Sequence, residues 1–150
     1  MTTIHLQTII HVPIEKVFDL ARSIDLHLQT TSSTNERVIA GRSSGLIELN
    51  ETVTWRAKHL GIYQNLTSQI TAMEPPYMFK DKMLRGAFSF MEHTHRFRSI
   101  PEGTIMTDEF TFAAPLGILG SLVEKIFLKK YMTRFIENRN NEQKKVAENK

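Results

Sequence analysis

Cysteine is absent from the chain, which removes disulfide frameworks, thiolate zinc sites and cysteine nucleophiles from consideration. Gly-x-Ser-x-Gly, Gly-x-Gly-x-x-Gly and P-loop patterns are missing as well, so no strand-to-helix elbow for a serine nucleophile or a phosphate is written into it. Long apolar runs are scarce. One long uncharged stretch, Phe110 to Val123, is interrupted by Pro115, Gly117 and Gly120 and is shorter than the ~20 residues that cross a bilayer. Met1 to Ile14 carries no charge but is broken by His5, Gln7 and His11, without the basic start or small-residue cleavage site of a secretory signal. The expectation is a cytoplasmic protein with no integral membrane association.

Excess charge of one sign is confined to one end. The net charge is +3, yet Met1 to Val123 holds 11 basic and 12 acidic residues, whereas Glu124 to Lys150 holds 8 basic and 4 acidic. Lys129, Lys130, Arg134, Arg139, Lys144 and Lys145 alternate with Glu137 and Glu142, the pattern of a solvated helix face, and no nucleic-acid partner is expected. With 150 residues, 41% hydrophobic and 23% charged, the chain is long and apolar enough for one soluble globular domain. That domain is expected over 1–146, with 147–150 a frayed end.

Thr3 to Val12 alternates as a strand. Pro13 suits the first turn of a helix, and Ile14, Val17, Phe18 and Ala21 follow at helical spacing. A short second helix is expected over Ile24 to Gln29, a short strand over Arg37 to Ala40, and a Gly/Ser-rich loop over Gly41 to Gly45. Glu51 to Leu60, Ile62 to Met73, Met78 to Leu84, Ala87 to Ile100 and Thr104 to Ala114 read as strands. Gly61, Pro75-Pro76, Gly86 and Pro101-Glu102-Gly103 separate the first four from one another and from the last. Connections this short impose antiparallel pairing. Leu116 to Val146 reads as one long helix. The expected fold is therefore α+β, in the order β-α-α-β6-α, with a twisted antiparallel sheet wrapped around the C-terminal helix and a cavity between them.

This order resembles the START-like (SRPBCC) superfamily, which includes polyketide cyclases and lipid-transfer proteins. Several stretches carry the resemblance: Glu51-Thr52-Val53-Thr54-Trp55-Arg56-Ala57-Lys58-His59, Leu66-Thr67-Ser68-Gln69-Ile70, Asp81-Lys82-Met83, Gly86-Ala87-Phe88, His93-Thr94-His95 with Phe97, and Ala114-Pro115-Leu116-Gly117. They are similar to a bacterial subgroup often labelled ligand-binding or cell-division-inhibitor-like. The resemblance runs from Thr3 to about Asn140 and implies a helix-grip fold that hosts binding, transfer or catalysis.

Period-two alternation sorts each strand into two faces, and the face with the large apolar residues should meet the helix. It holds Glu51, Val53, Trp55, Ala57 and His59, then Ile62, Gln64, Leu66, Ser68, Ile70 and Ala72. Phe79, Asp81 and Met83 follow, then Met91, His93, His95 and Phe97, and finally Met106, Asp108, Phe110, Phe112 and Ala114. Six members are ionisable: Glu51, His59, Asp81, His93, His95 and Asp108. The candidate ligand-binding set is Trp55, His59, Gln64, Asp81, His93, His95, Phe97, Asp108, Phe110 and Phe112, with a small or medium apolar molecule bearing a polar end as partner. His–Asp pairs that merely satisfy one another are the competing reading. His93 and His95 share a strand face and could chelate a cation with Asp81 or Glu51, but no zinc signature accompanies them, and neither a metal nor a cofactor is expected. An inward His/Asp pair would also suit a cyclase or hydratase. A third reading is an interaction module, or a homodimer, built on the C-terminal helix.

That helix presents a conflict of its own. At 100° per residue, Leu119, Leu122, Val123, Ile126 and Phe127 cluster on one side, whereas Leu128, Tyr131, Met132, Phe135 and Ile136 cluster on nearly the opposite side. Either the helix bends or breaks near Phe127 to Lys130, or the first cluster faces another surface.

Overall fold

The computed structural model describes residues 1–149, apart from the side chains of Ile118 and Leu119. Its strands are β1 (Thr2–Ile10), β2 (Arg37–Gly41), β3 (Thr52–His59), β4 (Ile62–Glu74), β5 (Met78–Arg85), β6 (Phe90–Ile100) and β7 (Gly103–Ala113). They form one antiparallel sheet in the order β1-β7-β6-β5-β4-β3-β2. Helices α1 (Ile14–Ala21) and α2 (Ile24–Thr30) fill the crossover from β1 to β2, and α3 (Gly117–Val123) and α4 (Lys129–Glu148) make the C-terminal helix. The expected helix grip is present. None of the described helices is long and apolar enough to cross a membrane.

Local sequence explains the joints. Ser23 caps α2 by accepting the Leu26 N–H at 3.1 Å. Leu60 and Gly61 both adopt left-handed backbone, with φ of 54° and 80°, which lets a two-residue turn follow the twist of the β3–β4 hairpin.

Two apolar clusters hold the layers together. One joins Ile14, Val17 and Phe18 of α1 to Ile70, Phe79, Phe97 and Met106 of the sheet and to Ala147 of α4. The other joins Ile4, Met91, Phe110 and Phe112 to Ile136, with Leu128, Met132 and Phe135 packed alongside. The α4 stripe that enters the interior is Ile136, Asn140, Gln143 and Ala147, spaced for one helical face.

Three boundaries differ from expectation. β6 begins at Phe90 and not at Ala87. The pairing of β4 with β5 shifts between Ile70 and Ala72, so Met73, not Ala72, stands opposite Phe79 and packs on the first cluster; an extra residue in a strand reverses its faces. Within the end expected to fray, residues 147 and 148 are ordered in α4, and Lys150 lies outside the described residues. Ala147 is buried, and the Glu148 carboxylate accepts the His11 N–H at 2.8 Å.

The helix neither breaks nor stays uniform. Glu124–Leu128 winds as a single π-turn, with the Lys129 N–H bonded to the Glu124 carbonyl. Such a turn inserts one residue and rotates the downstream helix by about 100°. Leu128, Met132, Phe135 and Ile136 thereby reach the interior, while Leu122, Val123, Ile126 and Phe127 remain exposed. Leu119's side chain lies outside the described residues. Glu124 itself is buried, and its carboxylate accepts the Thr2 hydroxyl and, at 2.8 Å, the Ala114 N–H, joining the π-turn to β1 and to the end of β7. Replacing Glu124 with Ala should lower unfolding free energy by about 1.5–3 kcal/mol, the range for hydrogen bonds to a charged group, measured by urea denaturation.

Candidate functional site

Between the sheet and α4 lies a hollow of about 370 Å³. Its apolar wall includes Trp55, Leu66, Ile70, Phe79, Met91, Phe110, Met132 and Phe135. Antiparallel alternation puts the β3–β4 turn, the β5–β6 turn and the β7–α3 link at one end of the sheet, and each sends residues to the hollow: Leu60, then Ala87 and Phe88, then Pro115.

Seven of the ten expected side chains line it: Trp55, His59, Gln64, Asp81, His93, His95 and Phe110. The other three lie behind the wall. Phe97 packs edge-on against Phe18 in the first cluster, Phe112 is wholly buried beside Phe88 and Phe110, and Asp108 underlies the two histidines. Glu51 is not on the inward face, because β3 starts after it; its carboxylate pairs with Arg42 at 3.0 Å and accepts the Glu48 N–H.

Strand register assembles the polar belt. Asp81 faces His93 across β5–β6, and His95 faces Asp108 across β6–β7. His93 Nε2–H donates to Asp108 Oδ1 at 2.7 Å, and Asn140 Nδ2 donates to Asp108 Oδ2 at 2.6 Å. His95 Nε2 meets Asp81 Oδ2 at 3.2 Å while its Nδ1 stands 3.4 Å from Asp108 Oδ1. Both ring nitrogens of His95 thus address carboxylates, which only the imidazolium can satisfy as a double donor. The rings of His93 and His95 stack with centroids 3.8 Å apart, Phe79 covers the other side of His95 at 4.2 Å, and Phe110 meets His93 edge-on.

The two histidines titrate apart. Burial pushes His93 down to about 4, and the charge on His95 pushes the same way against the pull of Asp108. His95 is also desolvated, but its hydrogen bonds to Asp108 and Asp81 outweigh that and raise it above the ordinary histidine value. Burial opposes ionisation of Asp81 and Asp108, yet the histidine hydrogen bonds and charges hold Asp81 below, and Asp108 well below, the usual carboxylate range. Donor atoms of Asp81, His93 and His95 come within 4.8 Å of one another, the set that could hold a divalent cation.

A second polar group borders the hollow. His59 Nδ1 and the Tyr131 hydroxyl share a hydrogen bond of 2.8 Å, and burial lowers His59. His27 packs at a tilt against Trp55, with centroids 4.1 Å apart, and bonds Glu36 at 2.7 Å. His27, Glu36, Tyr131 and Arg139 were not among the expected lining residues. For Tyr131 and Arg139 a signal existed: Tyr131 sits within the stripe of Leu128, Met132, Phe135 and Ile136, and continuing that stripe by three and four residues reaches Arg139 and Asn140. No comparable pattern marked Glu36, which a loop brings in.

A family model described as polyketide cyclase/dehydrase and lipid transport matches residues 1–148. The chain belongs to that family. No curated protein matches. Solved structures share the fold at low identity. TTHA0849 from Thermus thermophilus is 19% identical over 97% of each chain, with a TM-score of 0.78. A START superfamily protein from Mycobacterium smegmatis is 11% identical over 97% of each chain, TM-score 0.75, and the major latex-like protein 151 of Panax ginseng is 12% identical over 97% of each, TM-score 0.72.

The belt makes acid sensitivity specific. Below its ordinary value near 6.5, His93 takes up a proton in the unfolded chain but not in the folded one until about pH 4, so stability falls as pH falls through that window. His95, raised, has the opposite sign: its contribution is complete below 6.5 and is lost as pH rises through its folded value. The contributions of Asp81 and Asp108 are lost only below the ordinary carboxylate value. Thermal melts should therefore decline between pH 6.5 and about 4, and His93→Gln, whose amide can still donate to Asp108, should flatten that decline.

Proposed function

We propose that the protein holds a small or medium apolar molecule with a polar end in the hollow between its sheet and α4. The observation that carries this reading is the composition of the wall, aromatic and aliphatic over most of its area, with its polar groups gathered in two places, the belt and the His59–Tyr131 and His27–Glu36 pairs. Few polar groups on an apolar wall fix a ligand's orientation without forfeiting hydrophobic affinity. A volume of about 370 Å³ falls in the range of small-ligand sites, roughly 300–1,000 Å³. The family description, which couples cyclase or dehydrase activity with lipid transport, is compatible with holding and with turnover. Holding is favoured because both oxygens of Asp108 and both ring nitrogens of His95 are committed to internal partners, a closed arrangement that fixes shape and leaves them no role in proton shuttling.

Binding should be visible with N-phenyl-1-naphthylamine, a neutral apolar fluorophore. Its emission should rise on mixing, with energy transfer from Trp55, the single tryptophan. Ser68→Phe, which places a ring in the hollow, and Trp55→Ala should each weaken binding about tenfold or more, in line with loss of one large apolar contact. No enhancement with folded wild-type protein would refute the reading.

An exposed apolar and basic stretch of the C-terminal helix favours a second reading, delivery or capture at an anionic lipid surface. Leu60 on the wall of the hollow and Leu116, Leu122, Ile126 and Phe127 before and within the first turns of that helix are exposed, and Lys125, Lys129, Lys130 and Arg134 gather around Ile126 with Glu137 among them. Leu60 and Leu116 have φ of 54° and 77°, a conformation that disfavours leucine, so two exposed apolar side chains are kept against local preference. A second copy on this face would oppose lysine to lysine. Phosphatidylglycerol vesicles should therefore bind the protein more strongly than phosphatidylcholine vesicles, and Ile126→Asp should abolish the difference. A concentration-dependent dimer that Ile126→Asp dissolves, without vesicle binding, would assign the face to a homodimer instead. Leu60→Asn should weaken vesicle binding while stabilising the fold by about 1 kcal/mol.

A further inference from the structure

Of the two guanidinium groups on the wall, Arg22 is hydrogen-bonded to Asp19, Glu48 and the Ile47 carbonyl, whereas Arg139 has no hydrogen-bonded partner among the described residues. It projects from α4 beside the belt and lines the hollow, with 14% of its side chain accessible. A guanidinium carries five N–H donors in a planar fork, and none of them finds an acceptor within hydrogen-bond distance among the described residues. The nearest carboxylate oxygen, Asp108 Oδ1, is 4.0 Å away and already receives His93, while Oδ2 receives Asn140. Asp81 is likewise engaged by His95. Arg139 is thus near enough to Asp108 to feel its charge and too far to be hydrogen-bonded by it. Desolvating such a fork without partners is costly, and the shape it presents fits a carboxylate through two parallel bonds.

Resting on the hollow-binding reading above, we infer that Arg139 is the head-group anchor and that the ligand's polar end is a carboxylate, the molecule being an amphipathic organic acid. The apolar tail then runs from the belt along Leu66, Met91 and Met132 toward Phe88 and Leu60, and the acid is drawn to the unpaired guanidinium. Arg139 does no chemistry here; it selects between ligands of equal tail and different head.

Three ten-carbon probes separate the possibilities: decanoate, decanol and decyltrimethylammonium, each titrated below its micelle concentration with Trp55 emission as readout. Wild type should bind decanoate at least about tenfold more tightly than decanol, and the cationic probe more weakly than either. Arg139→Met should reduce decanoate to the affinity of decanol and leave decanol unchanged. Should that variant melt early, Arg139→Gln, which keeps a polar head without the charge, should give the same loss of preference. Equal binding of decanoate and decanol to wild type, or a preference that survives both substitutions, would overturn the assignment while leaving the hollow-binding reading intact. Failure of all three probes to bind folded wild type would overturn the hollow-binding reading, and the head-group assignment with it.

Discussion

A carboxylate in the middle of a sheet is untenable unless its charge is answered from several directions, and Asp108 is answered by His93 and His95 from the neighbouring strand and by Asn140 from the C-terminal helix. Those partners come from β6 and α4, so the same few bonds fix the height of the helix above the sheet. His95 relays the arrangement to Asp81 on β5. Removing one member would leave the others desolvated and unpaired, which is far more costly than never having buried them. The belt divides the interior into two apolar clusters, with Phe79 of one stacked on His95 and Phe110 of the other against His93.

The hollow exists because that division is incomplete. Where α1 and the end of α4 cover the sheet, Phe18, Phe97 and Met106 interlock and no space remains. Toward the start of α4 the covering element is a single helix, and its side chains meet the sheet around Ile136 and at the Tyr131–His59 bond. A helix held off the sheet by polar groups of fixed length cannot settle closer to close the gap. Packing and polarity therefore act together: the belt sets the spacing and the aromatic wall gives the space an apolar lining.

Much of this was legible in the residue pattern. Alternation in β3, β5, β6 and β7 located Trp55, Asp81, His93, His95 and Phe110 on one face, because a strand with one buried side tolerates no slip. The same logic failed where its premise failed, at the bulge that exchanges Ala72 for Met73 and at Glu51, which precedes its strand. Alternation also assigns a face without depth, so it could not distinguish Phe97 and Phe112, sealed in the core, from Phe110 at the wall. Glu36 depended on a loop path that no period encodes. Arg139 and Asn140 lay on a helical stripe whose earlier members were plainly apolar, and their polarity marked the place where the stripe meets the belt.

The π-turn at Glu124–Leu128 bears on how this scaffold can vary. Deleting one residue there would close the wide turn into ordinary α-helix while both flanks kept the faces they now present, because the lost residue and the lost winding cancel. Leu122 and Ile126 would stay outside, and the contacts of Glu124 with Thr2 and Ala114 are the ones such a change would disturb. A single codon thus separates a helix with the bulge from one without it, and lineages of this fold can gain or lose the turn without altering the sheet.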